Sequence, residues 1–282
     1  MRVAVNGVRL YFDVEGAELV PEGPAMRKRP TVLLLHGGPG ADHATYKPFL
    51  SPLAEHAQII YLDHRGQGRS DEGTPASWNL AQWADDVAAF MEALEIERPY
   101  ILGASFGGFV AQAFATAYPD RLAKLALVST APRTDANLSA DMFGRLGGPE
   151  VGEIARRHLN GATLETEAAF FAHCLPHYTV GEFDMEALGR SIDRSEVRRM
   201  FFADGGEWNR MDYRAALARI QCPTLALHGE LDPILPLPLA QEMVAAIPNG
   251  LAQMHIVENA GHGWLDHPDE WLDVLTHFLF ED

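Results

Sequence analysis

Gly103-Ala104-Ser105-Phe106-Gly107 is the stretch on which the reading of this chain turns. Pro99-Tyr100-Ile101-Leu102, an apolar run of strand length, leads into it, and Gly108 to Ala115 reads as a helix. Strand, G-x-S-x-G and helix together are the context of a nucleophile elbow, a turn that lifts a serine hydroxyl above a sheet edge. So sharp a turn needs small residues. Glycines two before and two after the serine let strand and helix approach without Cβ clashes, while the serine takes a strained conformation. The helix N-terminus then offers backbone N–H groups to a developing anion. A glycine-rich turn that only packs well is the competing explanation, and the flanking strand and helix weigh against it.

Outward from the elbow, strand and helix signals alternate. Val3 to Glu15 alternates apolar and polar around Asn6-Gly7, which predicts an opening hairpin. Glu18 to Pro30, with three prolines and Arg27-Lys28-Arg29, predicts an exposed loop. Thr31 to Leu35 is a strand run ending at His36-Gly37-Gly38-Pro39-Gly40, and Gln58 to Leu62 is another, ending at Asp63-His64-Arg65-Gly66. A short helix is expected between them, from Tyr46 to His56. Leu80, Ala84, Val87, Phe90, Met91 and Leu94 fall at helical spacings and predict an amphipathic helix.

Leu122 to Val128 predicts the next strand. From Arg133 to Tyr213 no strand run is visible, only helix-like segments rich in Arg and Glu. Strand character resumes at Cys222 to His228, followed by a helix from Pro238 to Ile247, a strand from Gln253 to Val257 and a closing helix from Pro268 to Phe280. Continuous apolar strands alternating with helices imply an α/β class protein, a mostly parallel central sheet with helices on both faces. The expected organisation is a core of residues 1–132 and 214–282, interrupted by a helical cap of residues 133–213.

Composition sets outer limits. The chain has 282 residues, 47% hydrophobic and 22% charged, an ordinary globular profile. It has no apolar run of about 18 residues, and its start lacks a signal-peptide core. The two cysteines, Cys174 and Cys222, are too few for a disulfide framework and are expected to be buried thiols, so a cytoplasmic setting is the expectation. A net charge of −17 argues against nucleic acid and against an anionic membrane as partners. Oligomeric state is not legible.

A serine hydroxyl needs a base, and the base needs a group to orient it. In open α/β sheets such groups gather at the C-terminal ends of strands. His228-Gly229-Glu230-Leu231-Asp232-Pro233 follows one strand and Asn259-Ala260-Gly261-His262-Gly263 the next. That makes Ser105, Asp232 and His262 the candidate nucleophile, acid and base, with Glu230 in reserve for the acid. Ser129-Thr130-Ala131, after the earlier strand, offers no carboxylate. The oxyanion donors should be the Phe106 amide and, from the glycine loop, Gly38. His36 is expected to tie that loop down. No H-E-x-x-H or paired-cysteine pattern is present, so neither a metal nor a cofactor is expected.

Together these residues resemble the α/β-hydrolase superfamily over nearly the whole chain. The His36-Gly37-Gly38-Pro39-Gly40 loop and the segment Asp63-His64-Arg65-Gly66-Gln67-Gly68-Arg69-Ser70 are similar to the HGGPG loop and D-x-R-G-x-G-x-S segment of the proline iminopeptidase group. The chain departs from that group in having Phe106, not Trp, after the nucleophile. Glu207 and Trp208 are the nearest analogue of its amine-binding cap residues. The resemblance implies a serine hydrolase acting on a small-molecule ester, a lactone or a short peptide. Cleavage of small esters or lactones through an acyl-enzyme is the leading expectation, a proline iminopeptidase-like aminopeptidase the second, and a non-catalytic binding protein the third. Met142, Phe143, Phe170, Phe171, Tyr178, Phe201 and Phe202 are the cap residues available to pack on the core or line an acyl pocket.

Overall fold

The computed structural model describes residues 1–281. Strands β1 (Arg2–Val5) and β2 (Val8–Glu15) pair antiparallel across Asn6-Gly7. Both turn residues have positive φ, 45° and 78°, as a two-residue hairpin between twisted strands requires. Where composition predicts a loop, β3 (Leu19–Glu22) and β4 (Ala25–Lys28) instead form a separate hairpin. It pairs only with itself, and its Leu19 and Met26 are exposed. No face of it is buried, so its sequence carries no apolar alternation to read.

The strands β5 (Thr31–Leu35), β6 (Gln58–Leu62), β7 (Tyr100–Ala104), β8 (Lys124–Val128), β9 (Thr224–Gly229) and β10 (Ala252–Val257) run parallel, and β2 joins them antiparallel at β6. The order is β1-β2-β6-β5-β7-β8-β9-β10, with the elbow strand β7 at the centre. Alternate side chains feed two separate cores. Leu33 and Leu35 of β5 point to one, Val32 and Leu34 to the other.

On the first face lie α1 (Leu80–Ala93), its N-terminus capped by Asn79, and α2 (Phe106–Ala117). Between β8 and β9 come α3 (Ala136–Gly147), α4 (Pro149–Leu159), α5 (Leu164–His173), α6 (Met185–Gly189), α7 (Ser195–Phe202) and α8 (Glu207–Arg210). Their apolar side chains merge with the first core: Phe201 packs edge-on against Phe106 at 5.4 Å, and Trp208 against Phe109 at 6.4 Å. α9 (Leu237–Ala246) completes that face, and α10 (Pro268–Phe280) covers the other with Trp271 and Leu275. In place of the expected helix from Tyr46 to His56 there are two short 3₁₀ turns, His43–Tyr46 and Ser51–Glu55. Pro48 and Pro52 lack the N–H groups a continuous helix would need there. Cys174 and Cys222 are free and buried. Among the described residues no helix is long and apolar enough to cross a membrane.

His158, on α4, is buried between the rings of Phe170 and Phe202. Burial pushes its imidazole down to about 4 from the ordinary 6.5. The unfolded chain therefore takes up a proton, below pH 6.5, that the folded chain refuses. Stability from this group is complete above pH 6.5, falls as the pH drops toward 4, and levels off there, a loss of about 3 kcal/mol. Urea unfolding at pH 7 and pH 5 should accordingly show a smaller acid loss in His158→Phe than in the parent. An identical loss in both would place the acid sensitivity elsewhere.

Candidate active site

The elbow owes its shape to three glycines and one strained residue. Ser105 sits between β7 and α2 with φ 53° and ψ −119°. A Cβ on Gly103 would overlap the Gly107 carbonyl, one on Gly107 the Leu35 carbonyl, and one on Gly108 the Thr130 side chain. The turn is pinned from β8: Ser105 N–H donates to the Val128 carbonyl at 2.9 Å, and Thr130 Oγ1 donates to the Ser105 carbonyl at 3.0 Å. The Phe106 amide belongs to the unpaired first turn of α2, which leaves it open to an external acceptor.

Beside the serine runs the glycine loop. A Cβ built on Gly37 would stand 3.5 Å from Ser105 Cβ, and Gly38 follows, exposed and with φ 128°. His36 is buried and fully engaged. Its Nδ1 lies 2.8 Å from the Gly37 carbonyl, and its Nε2 accepts from the His64 amide at 3.2 Å. Those partners put the proton on Nδ1, and burial holds the ring in its neutral form. Gln67 Oε1 accepts from Gly40 N–H at 2.7 Å and fixes the other end of the loop.

Asp63, Arg65 and Ser70 hold the Asp63–Ser70 segment in place, while His64 Nε2 and Gln67 Nε2 are buried without a hydrogen-bond partner among the described residues. Asp63 takes His43 Nδ1 at 2.6 Å and the Arg69 amide at 2.9 Å, and Ser70 Oγ donates to its carbonyl. Arg65 makes a buried two-pronged pair with Asp86 of α1, 2.7 Å on each arm. Asp42, His43 and Asp63 bring possible ligand atoms within 4.8 Å of one another, a juxtaposition that residue spacing does not reveal. Asp42 already holds Arg69 at 2.9 Å, and a cation there would face that guanidinium.

Beyond β9 the candidate acid and base meet. Asp232 is fully buried; its Oδ1 accepts from the amides of Ile234 and Leu235 at 3.0 and 2.9 Å, and its Oδ2 lies 2.7 Å from His262 Nδ1. A carboxylate at Nδ1 keeps that nitrogen protonated and leaves Nε2 as the basic atom. Glu230 is exposed and spends Oε2 on the Asn259 amide at 3.0 Å. The His262 loop returns to β8, where Gly263 N–H donates to Ser129 Oγ at 2.9 Å. Ser129 and Thr130 thus tie base loop and elbow to the same turn. That turn carries no sign of this role in the sequence, because it lacks a carboxylate. Among the described residues no hydrogen bond joins Ser105 Oγ to His262, and in ligand-free sites such bonds are often long.

Glu207 and Trp208 are not brought to this cluster. Glu207 Oε1 pairs with Arg210 at 2.6 Å and its Oε2 accepts from the Leu80 amide at 3.4 Å. It lines a cleft of about 680 Å³ with Trp78, Asn79, Met200 and Tyr213, whose walls include none of Ser105, Asp232 and His262. Trp208 is buried against Phe109 and Phe202. Of the aromatic residues on the insertion, Tyr178 reaches the cluster, its ring 5.2 Å from and edge-on to that of His262. Phe143, Phe170 and Phe202 lie in the buried packing.

Residues 30–266 match the family model described as alpha/beta hydrolase fold. A 2-hydroxy-6-oxononadienedioate/2-hydroxy-6-oxononatrienedioate hydrolase of Cupriavidus pinatubonensis is 30% identical over 266 residues, covering 88% of this chain and 86% of the relative. Among solved structures, a thermophilic esterase from Thermogutta terrifontis is 26% identical with a TM-score of 0.70, covering 99% of this chain and 98% of the esterase. An enol-lactonase from Burkholderia xenovorans LB400 shares the fold at 22% identity and TM-score 0.72, covering 99% of both chains.

Proposed function

This chain belongs to the α/β-hydrolase fold family and is a hydrolase, and from that premise we propose that it cleaves small carboxylic esters or lactones through an acyl-enzyme on Ser105. The observation that carries this reading is the 2.7 Å pairing of His262 Nδ1 with the buried Asp232 carboxylate, with the His262 loop tied to the same turn as Ser105. That pairing leaves Nε2 free to take the serine proton, and the strained elbow keeps the hydroxyl exposed to substrate.

In this reading Ser105 Oγ attacks the substrate carbonyl while His262 Nε2 accepts its proton. The amides of Phe106 and Gly38 hold the oxyanion, and His36 orients the second of them through Gly37. His262 then returns the proton to the leaving alcohol, and a water repeats the sequence to free the acid. Residues 133–213 act as a cap over a core formed by 1–132 and 214–282, and Tyr178 is its contact with the base. The Arg210 partner of Glu207 works against an anchor for a substrate amine, so the ester reading stands ahead of the aminopeptidase one.

The test is kcat/KM for p-nitrophenyl butyrate and for L-proline p-nitroanilide, side by side. Ester turnover far above anilide turnover is the expected result. Efficient prolyl release would overturn it in favour of an aminopeptidase. 2-Hydroxy-6-oxononadienedioate, the substrate in the name of the Cupriavidus relative, belongs in the same panel. Turnover of that acid with no ester turnover would also overturn the proposal.

A further inference from the structure

Three successive amides of the base loop donate to three different partners. Gly261 N–H donates to Asp266 Oδ2 at 2.9 Å, His262 N–H to the Tyr178 carbonyl at 2.5 Å, and Gly263 N–H to Ser129 Oγ at 2.9 Å. Two of these partners belong to the sheet core and its last loop. The partner of His262 itself lies on the helical insertion.

Asp266 extends the same contact. Besides Gly261, its carboxylate accepts from Val180 N–H at 2.9 Å and Gly181 N–H at 3.0 Å, both on the insertion. Its own carbonyl accepts from Nε1 of Trp271, a buried residue of α10, at 2.9 Å. The backbones touch with nothing between them. A Cβ on Gly261 would overlap the Tyr178 carbonyl, and one on Gly229 would overlap the Gly261 carbonyl. Strand end, base loop and insertion are therefore stacked main chain on main chain. On the insertion side Tyr178 is set firmly, its ring packing with Phe143, Phe170 and Phe183.

We propose that Asp266 is a positioning residue for His262: it clamps residues Tyr178–Gly181 onto the base loop, so that the imidazole is aligned with Ser105 only while this segment is docked. If the segment lifts, His262 loses the partner of its own amide and Asp266 loses two of its three donor residues. The insertion then governs proton transfer as well as access, and a substrate that props it open binds without being turned over. The inference rests on the catalytic reading of Ser105 and His262 given above.

Two variants test it. Asp266→Asn replaces one accepting oxygen with an NH₂ group, which must face an amide donor whichever way it is turned. Gly261→Ala wedges the Tyr178 carbonyl away without touching a triad side chain. With p-nitrophenyl acetate, kcat should fall about ten- to a hundredfold in Asp266→Asn, the scale of a small misplacement of a reacting group, with KM unchanged. The rate of Ser105 labelling by a fluorophosphonate should fall by the same factor. Hydrogen exchange should quicken together in peptides 178–183 and 259–264.

A purely structural role would loosen both peptides and leave kcat and labelling as in the parent, and that result overturns the proposal. Should Gly261→Ala fail to fold, Asp266→Asn decides alone. Ser105→Ala is run alongside. Full activity in Ser105→Ala would overturn the catalytic reading, and the clamp with it. An inactive Ser105→Ala beside an unimpaired Asp266→Asn overturns the clamp only.

Discussion

Ser105→Ala should lose roughly 10⁴- to 10⁶-fold in kcat toward p-nitrophenyl butyrate, the scale on which serine nucleophiles are lost in other hydrolases. In the proposed reading the hydroxyl is the group that bonds to the acyl carbon, and no neighbouring hydroxyl takes its place. Thr130 Oγ1, on the neighbouring turn, is committed to the Ser105 carbonyl at 3.0 Å. The strain at φ 53° belongs to the backbone and remains in the alanine variant. The hydroxyl makes no hydrogen bond to His262 among the described residues, so the thermal midpoint should stay that of the parent. A melt and a steady-state assay on the same preparation separate loss of chemistry from loss of fold. Activity within about tenfold of the parent would remove Ser105 from the mechanism.

Asp232→Asn should cost about 10⁴-fold in kcat, because it puts the base in the wrong tautomer. The orientation of the new amide is dictated in advance. The Ile234 and Leu235 amides require an acceptor where Oδ1 now sits, so the introduced side-chain oxygen must stay there and its NH₂ must face His262. An NH₂ group cannot accept from Nδ1–H, and the imidazole answers by moving its proton to Nε2, the atom that has to be empty to receive one from Ser105. Glu230→Gln is the internal control and should leave kcat unchanged, since that carboxylate is exposed and bonded to the Asn259 amide. The reverse pattern, an active Asp232→Asn beside an inactive Glu230→Gln, would transfer the acid's role to Glu230.

The parts of this protein that were legible in its sequence are those where local chemistry and the fold demand the same residues. Gly103 and Gly107 announce the elbow because only hydrogen fits where strand, helix and the Leu35 carbonyl converge. The buried parallel strands announce themselves as apolar runs because both their faces are covered. Asp232 and His262 could be named from their places after β9 and β10, though not their 2.7 Å contact. What stayed hidden either lacks a buried face or depends on partners that residue type does not reveal. The β3–β4 hairpin has no buried face to betray it, and nothing in residue type shows that Glu207 is bonded to Arg210 and to the Leu80 amide. The work of Ser129, Thr130 and Asp266 is done through backbone groups of other segments, which leave no residue-type signature.

The sheet order carries a consequence for how the chain is made. The proposed nucleophile, oxyanion loop, acid and base stand on β7, β5, β9 and β10 and the turns after them, so the proposed site closes only through contacts between remote parts of the chain. A nascent chain that has completed the elbow still lacks its acid, its base and the α10 tryptophan that anchors the last loop. Long-range pairings of this kind form late and are slow to form. On the proposed reading, catalytic competence is thus acquired late, and turnover would serve as a gauge of finished folding.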